Sequence, residues 1–347
     1  MIRATTNGTL KAYRSSLNRA TLRMNSARDK VLTQRNFNSY AEDPAAAAES
    51  FQLRRTFQKV SAQIDVSQSV SRKFDTAYSA VDTVVSLIDN EAEGSALSAI
   101  LAGASDPTGA GRTALGKQLL QLSESVVETL NCKHGDQFIF SGADGLNIPF
   151  SWEGTDEDRK LYYRGFPVDE NSDMLKYMSE RETRFVDVGI GLQEDENNNL
   201  ISSSAFDSTL QGIGVLGYGV DENGLPNNIA SLIYQMGSIL SRCDEETGAW
   251  NSAEDQETFQ KLQGKFDEAS SNLKKFHVDM STKADYLSNN HAVLEDSAYT
   301  LNEQILAIEQ CDLADAITSF SWAQYSYNAA LKMGNSILSE SLMDYMR

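Results

Sequence analysis

The chain is poor in cysteine, proline, histidine and positive charge, and it has no long apolar run. Each shortage excludes a class of protein. Its 347 residues include three cysteines, Cys132, Cys243 and Cys311, far apart in sequence and in no CxxC pair. That spacing suggests neither a disulfide framework nor a zinc site. Proline occurs only at Pro44, Pro107, Pro149, Pro167 and Pro226, so residues 45–105 and 250–347 contain none. Both stretches are free to form long uninterrupted helices. The formal net charge is -19 and the pI is near 4.6, whereas a nucleic-acid binder needs a basic surface. No apolar stretch approaches the roughly 18 residues of a membrane helix. The first residues, Met1-Ile2-Arg3-Ala4-Thr5-Thr6, lack the apolar run of a secretory signal. By these signs the chain is expected to be cytosolic, or exported by a route that cleaves nothing. No glycine-rich phosphate loop, GxSxG or HExxH occurs. No catalytic residue, cofactor or metal is expected, and the chain does not read as an enzyme.

What the sequence does have is helical rhythm. Hydrophobic residues make up 41% of the chain, enough for a sizeable core, and the length suits two domains. Leu10, Tyr13, Leu17, Ala20, Met24, Ala27 and Val31 alternate spacings of three and four, the heptad pattern of a paired helix. The stripe is thin, and one such helix is marginal in water without a partner. Asp43 is placed to cap a second helix, and Pro44 suits its first position. That helix should carry the seam Phe57, Val60, Ile64, Ser67, Ser71, Phe74, Tyr78, Val81, Val85, Ile88. Gly94 and the stretch from Gly103 to Gly111 interrupt the pattern, and Leu115, Leu119, Leu122, Val126 and Leu130 predict a third helix. Between about 136 and 228 the character changes. Phe138-Ile139-Phe140 and Leu161-Tyr162-Tyr163 look like short strands, and glycine, asparagine and aspartate become common. Residues 136–225 hold eighteen acids and six bases, so most of the negative charge lies in this exposed stretch.

Helical spacing returns at Ile229, Leu232, Ile233, Met236 and Leu240. The longest seam then runs Phe259, Leu262, Phe266, Ala269, Leu273, Phe276, Met280, Ala284, Leu287, His291, Leu294, Ala298, Leu301, Ile305, Ile308, with a stutter at Met280. About 50 residues at 1.5 Å each predict a rod of roughly 75 Å. The tail continues with Leu313, Ile317, Phe320, Tyr327, Leu331, Leu338, Leu342 and Tyr345. The expected fold is mainly α with a β-rich insert: long N- and C-terminal helices paired as a coiled-coil rod, and a mixed α/β middle domain. The ends are complementary in charge. Residues 1–60 carry eleven bases and four acids, and residues 301–347 carry six acids and two bases. Two solvated faces that never meet would show the same pattern.

Other features weigh against their sharper readings. Asp195, Asn197 and Asn199 match the first positions of a calcium loop, but Leu200 and Phe206 stand where its glycine and glutamate belong; the stretch reads as a polar hairpin tip. Cys132 and His134 read as a helix-end thiol and a solvated imidazole rather than a nucleophile and its base. His277 has no second ligand nearby, and His291 lies on the long seam. Arg14, Arg19, Arg23, Arg28 and Lys30 have no interleaved aromatics, so neither nucleic acid nor a membrane surface is the expected partner.

Several motifs, in order, carry a family resemblance. Glu42-Asp43-Pro44-Ala45-Ala46-Ala47-Ala48, Phe138-Ile139-Phe140-Ser141-Gly142 followed by Pro149-Phe150, Asp312-Leu313-Ala314-Asp315-Ala316, and the ending Ser341-Leu342-Met343-Asp344-Tyr345 resemble motifs of the flagellin superfamily. Within it they are most similar to the hook-associated protein three family. Pro44, where ordinary flagellins usually have alanine, favours that family over a flagellin paralogue, as do the Phe138–Gly142 motif and the Asp344-Tyr345 ending. The motif residues Asp43, Pro44, Phe138, Phe140 and Gly142 carry the match.

The resemblance implies five segments. Residues 1–40 and 311–347 would form an inner-tube helical domain, 41–135 and 229–310 an α-helical rod domain, and 136–228 an exposed β-rich insert. It implies an extracellular structural subunit at the hook–filament junction, cytoplasmic only before unfolded type III export, which free thiols suit. It also implies partners: flagellin, the first hook-associated protein, further copies in a ring, and a cytosolic export chaperone. The assembly surface would include Leu10, Tyr13, Leu17, Met24, Val31, Tyr327, Leu331, Leu338, Leu342 and Tyr345. One departure is the segment Asp89-Asn90-Glu91-Ala92-Glu93, where flagellins carry an Arg-Glu-Leu-Ala segment read by an innate immune receptor.

Overall fold

A computed structural model describes residues 6–89, 94–105, 111–155, 159–189, 191–195, 200–201 and 204–345, and the side chains of 6, 7, 9 and 336–345 lie outside that description. In chain order the elements are α1 (Thr6–Thr33), α2 (Pro44–Ile88), α3 (Ala96–Ser105), α4 (Arg112–Leu130), β1 (Lys133–His134), β2 (Gln137–Phe138), β3 (Phe150–Glu153), β4 (Lys160–Tyr163), β5 (Phe166–Pro167), α5 (Asp173–Glu180), β6 (Phe185–Val186), β7 (Phe206–Asp207), α6 (Gly212–Leu216), α7 (Ile229–Ser241), α8 (Ala253–Glu309) and α9 (Leu313–Tyr345). The expected class is observed: long terminal helices, with short strands confined to the middle. The chain divides into two compact units, residues 1–61 with 295–347, and residues 62–294.

The larger unit, 62–294, holds the main core. In α2 the residues Ser67, Phe74, Val81 and Ile88 are buried at seven-residue spacing, as read from the sequence. Their expected partners Ile64, Ser71, Tyr78 and Val85 are only half-buried, while Val70, Ala77 and Val84 are buried. The helix therefore buries a wider face than a two-position seam. In α8, Phe259, Phe266, Leu273, Met280, Leu287 and Leu294 form one continuous buried line, also at sevens. The stutter at Met280 moves the flanking positions, not this line. Tyr78 stacks on His277 at 4.9 Å between ring centres, and Asp82 lies 3.3 Å from the His277 Nε2.

α4 and α7 pack closely because both carry glycine at the crossing. A methyl group on Gly116 would sit 2.7 Å from the Gly237 carbonyl oxygen. The α3 helix was not expected: Gly103 was read as a break, yet it lies inside the helix, where a Cβ would press on Leu240. α5 and α6 likewise fall within the stretch expected to be β-rich. Ser172 caps α5 by accepting from the Met174 amide.

Strands are few and short. β3, β4 and β5 form an antiparallel sheet with Phe150 opposite Tyr163. Leu161–Tyr163 is a strand as expected, but Phe138–Phe140 is not one throughout. Only Gln137–Phe138 pairs, with β1. Ile139 and Phe140 then turn into the core, and the chain is held by the Gly142 amide donating to the Leu210 carbonyl and the Gly212 amide donating to Phe140. Tyr163 donates its hydroxyl to the Phe140 carbonyl at 2.9 Å. Burial pushes its phenol well above the ordinary range.

The smaller unit is joined at one carboxylate. Glu309, the last residue of α8, accepts from Arg54 Nε at 2.6 Å, from Arg35 Nη2 at 3.1 Å and from the Ser50 hydroxyl. Asn36 donates its side-chain amide to the carbonyls of Ile308 and Gln310, and the Cys311 amide donates to Gln34. The turn after α1 and the turn before α9 are thereby tied together. Gln34 enters it with φ 55, the left-handed region. Hydrogen bonds from Arg54, then from Ser50, together with the charges of both arginines, outweigh burial and hold the Glu309 carboxyl down at about 2, from 4.5.

A depressed carboxylate stabilises the fold fully above its unfolded pKa and loses that contribution as pH falls toward the folded value. Both arginines are about half exposed, so solvent screening reduces the effect to about 1–2 kcal/mol. Glu309→Gln should therefore lower the melting temperature at pH 7. The gap from wild type should close as pH is lowered from 4.5 to 2. Thermal melts of both proteins across that window check this; a gap that stays constant would show that Glu309 acts through packing alone.

Candidate functional site: the paired terminal helices

α1 and α9 pack against each other antiparallel. Tyr13 lies beside Gly334 near one end, and the Cys311 thiol reaches the Lys30 carbonyl at 3.5 Å near the other. Asp312 starts α9 by accepting from the Ala314 amide at 2.8 Å. Every member of the predicted α1 seam, from Leu10 to Val31, is half-buried and none is fully buried. Among the described side chains of α9, the least exposed are Ala316, Phe320, Ala323, Tyr327, Ala330 and Gly334, at spacings of four and three. This inner face is built largely of small residues. A methyl group on Gly334 would overlap the Tyr13 ring.

The tail seam read from the sequence is thus rotated in the structure. Phe320 and Tyr327 face inward, but Leu313, Ile317 and Leu331 are exposed at 43%, 48% and 42%. The larger side chains lie beside the alanines rather than under α1, because close approach of two helices leaves no room for them. Leu338, Leu342 and Tyr345 belong to the helix, with side chains outside the described residues. A second apolar stripe was not foreseen. Trp322, Tyr325 and Met333 are exposed at 64–70%; at 100° per residue Tyr325 falls opposite the inner face, with Trp322 and Met333 on its flank. The rings of Trp322 and Tyr325 meet edge-to-face at 6.4 Å.

Charge acts differently from the expectation. Arg14, Arg19, Arg23 and Arg28 are exposed, and among the described residues Arg28 pairs with its neighbour Asp29 alone. Among the described residues no ion pair crosses between α1 and α9; the basic N-terminal part meets acid at Glu309, through Arg35 and Arg54. Sequence reasoning missed this cluster, though one signal was available. Glu309 ends a helix whose last turn has no basic residue, and an anion there opposes the helix dipole unless it is paired elsewhere.

The motif residues take structural places. Asp43 accepts from the Ala46 amide at 3.1 Å, and Pro44 is the first residue of α2. Phe138 lies under the Lys133 ammonium at 4.4 Å, and Phe140 is fully buried. Gly142 has φ +73, and a Cβ there would meet the Glu182 carboxylate at 2.7 Å. Cys132 is half-buried, and burial raises its thiol pKa. His134 approaches Thr76 Oγ1 at 3.4 Å. Among the described residues there is no group of three metal-ligating side chains, and no helix is long and apolar enough to cross a membrane. Asn197 and Asn199, and residues 90–93, lie outside the described residues.

No family model and no curated protein matches the sequence. Solved structures do match. One, described as a flagellar hook-associated protein from Vibrio parahaemolyticus, aligns over 77% of this chain and 99% of its own at a TM-score of 0.55 and 15% identity. The fold is that of a flagellar hook-associated protein. A second structure, flagellar hook-associated protein-3 from Legionella pneumophila, covers 74% of this chain and 98% of its own at 13% identity, but its TM-score of 0.48 is too low to add to the argument.

If the hook-associated fold closes its terminal pair through this small-residue face, Gly334→Val should force α9 away from Tyr13. The melting of the pair should then shift down while the larger unit is unchanged. Hydrogen exchange followed segment by segment measures both. Equal protection of α1 in the variant and wild type would show that the close approach is not required.

Proposed function

We propose that this chain is an extracellular structural subunit of the bacterial flagellum that joins the hook, through the first hook-associated protein, to the flagellin filament. The observation that carries the reading is the terminal helix pair. Its inner seam is only half-buried, and α9 shows a second apolar stripe to solvent. Exposed large apolar side chains at this density mark an interaction surface. On a hook-associated fold, that surface is where copies in a ring and the neighbouring proteins above and below would add their own terminal helices. Leu10, Tyr13, Leu17, Met24, Val31, Tyr327, Leu331, Leu338, Leu342 and Tyr345 form the proposed assembly surface. The division into inner-tube, rod and insert segments, 1–40, 41–135, 136–228, 229–310 and 311–347, belongs to the same proposal. So does unfolded export before assembly.

The competing reading is a flagellin paralogue that builds filament. A filament subunit must stack on itself without end, whereas a junction subunit needs different partners above and below. The acidic middle segment would repel its neighbours in a close homopolymer, with salt screening exposed charges beyond roughly 8–10 Å.

A deletion strain should secrete flagellin into the medium and carry bare hooks, and purified protein should stay monomeric or form short rings. Normal flagella in the deletion strain, or long filaments grown from purified protein, would transfer the assignment to the paralogue. Deleting residues 311–347 should abolish capture of a cytosolic export chaperone in a pull-down from the same cells; undiminished capture would place the handle elsewhere.

A further inference from the structure

Away from the terminal helices, the larger unit contains an open groove of about 500 Å³ that the flagellar reading does not use. One wall is the outer face of α7. Leu232, Ile233, Met236 and Leu240 turn that helix's apolar side fully into the core. Ser231, Tyr234, Gln235, Ser238 and Arg242, at positions i, i+3, i+4, i+7 and i+11, line the groove. Eleven residues of helix make this polar-aromatic track about 16 Å long, and the volume lies within the range of ligand pockets.

Trp152 and Asp169 also line the groove. The Trp152 and Tyr234 rings lie 5.0 Å apart, tilted at 36°, and the Arg159 guanidinium sits 5.5 Å from the indole. Three polar atoms at this groove have no hydrogen-bond partner: Trp152 Nε1, Asp169 Oδ1 and Ser231 Oγ. Ser231 is 2% exposed. They are a donor, an acceptor and a hydroxyl that can be either, and each is an uncompensated cost of burial. Burial also raises the Asp169 carboxyl to about 6; Ser231 and Lys160 lie near enough to oppose that shift, but Ser231 closes no hydrogen bond to it.

Aromatic faces beside unmatched donors and acceptors suit a ligand with flat C–H surfaces and many hydroxyls, each able to donate and accept. An apolar peptide would leave the polar groups unpaired. Charge decides between sugars. Arg159 is paired with Glu124 and Lys160 with Glu170, so Asp169 and Asp255 offset Arg242. The whole chain at -19 repels anionic polymers. We propose that this groove binds a short neutral saccharide lying along the Trp152–Tyr234 pair, with its hydroxyls on Asp169, Ser231, Gln235 and Arg242, after a small outward shift of the lining side chains.

The test is calorimetric titration of the full chain with chitotriose, cellotriose and maltotriose, and with trigalacturonate as the acidic counterpart, while tryptophan emission is followed. At least one neutral trisaccharide should bind with Kd below about 1 mM and shift the emission. Gln235→Ala, on the outer face of α7, and Arg242→Ala, just past its C-terminus, should each weaken binding about fivefold or more, with unchanged circular dichroism. Trp152→Ala is avoided because that ring also supports the core. Absence of binding by all three neutral sugars, tighter binding of trigalacturonate, or affinities unmoved by both variants would overturn the proposal.

Discussion

Two helices faced with alanine and glycine can approach closely, but they remove little apolar surface from water when they do. At roughly 0.8 kcal/mol per buried methylene, an alanine seam contributes far less than the leucine seam it replaces. That limit governs the smaller unit. Ala316, Ala323, Ala330 and Gly334 let α1 and α9 meet with Tyr13 against the glycine, and the larger apolar side chains of both helices are left outside. A pair built this way is marginal alone and has the wherewithal to gain stability from neighbours.

The clamp at Glu309 follows from the same limit. Where packing is thin, register has to be set by directional contacts. A carboxylate at the electronegative end of α8 is costly by itself, and two arginines and a serine reverse the sign of that cost. Asn36, bonded to the carbonyls of both Ile308 and Gln310, satisfies backbone groups that the end of α8 would leave open. The larger unit adds to ion pairs of its own, among them Arg164 with Glu182, an interior filled by Phe74, Phe140, Phe150, Tyr163, Phe259 and Phe266.

Much of this was legible in the heptad rhythm. The helices α1, α2 and α7 and the long buried line of α8 were read correctly as elements, because each has apolar residues at regular spacing, although α2 buries a wider face than its seam. The Asp43 cap and Pro44 start were also legible, being local chemistry. The α9 seam was misread because large residues were assumed to mark the buried face, whereas close packing selects small ones. Gly103 was misread as a break for the same reason: it permits contact with Leu240. Phe138–Phe140 looked like a strand because three large apolar residues stand together, but Ile139 and Phe140 reach the core by a turn. The Glu309 cluster had only an indirect signal, an acid ending α8 with no basic residue in that helix's last turn, and the α7 groove had none, since each joins residues that only the fold brings together.

The contact between the Lys30 carbonyl and the Cys311 thiol closes a loop of 281 residues. Contacts of such separation form late, because chain entropy must be overcome before they contribute anything. Almost the whole chain must therefore be free of any channel or ribosome before α1 meets its intrachain partner, whichever end emerges first. Until then the larger unit can fold on contacts of its own, while both terminal segments remain unpaired. The antiparallel arrangement makes the order of events a property of topology: core first, ends last.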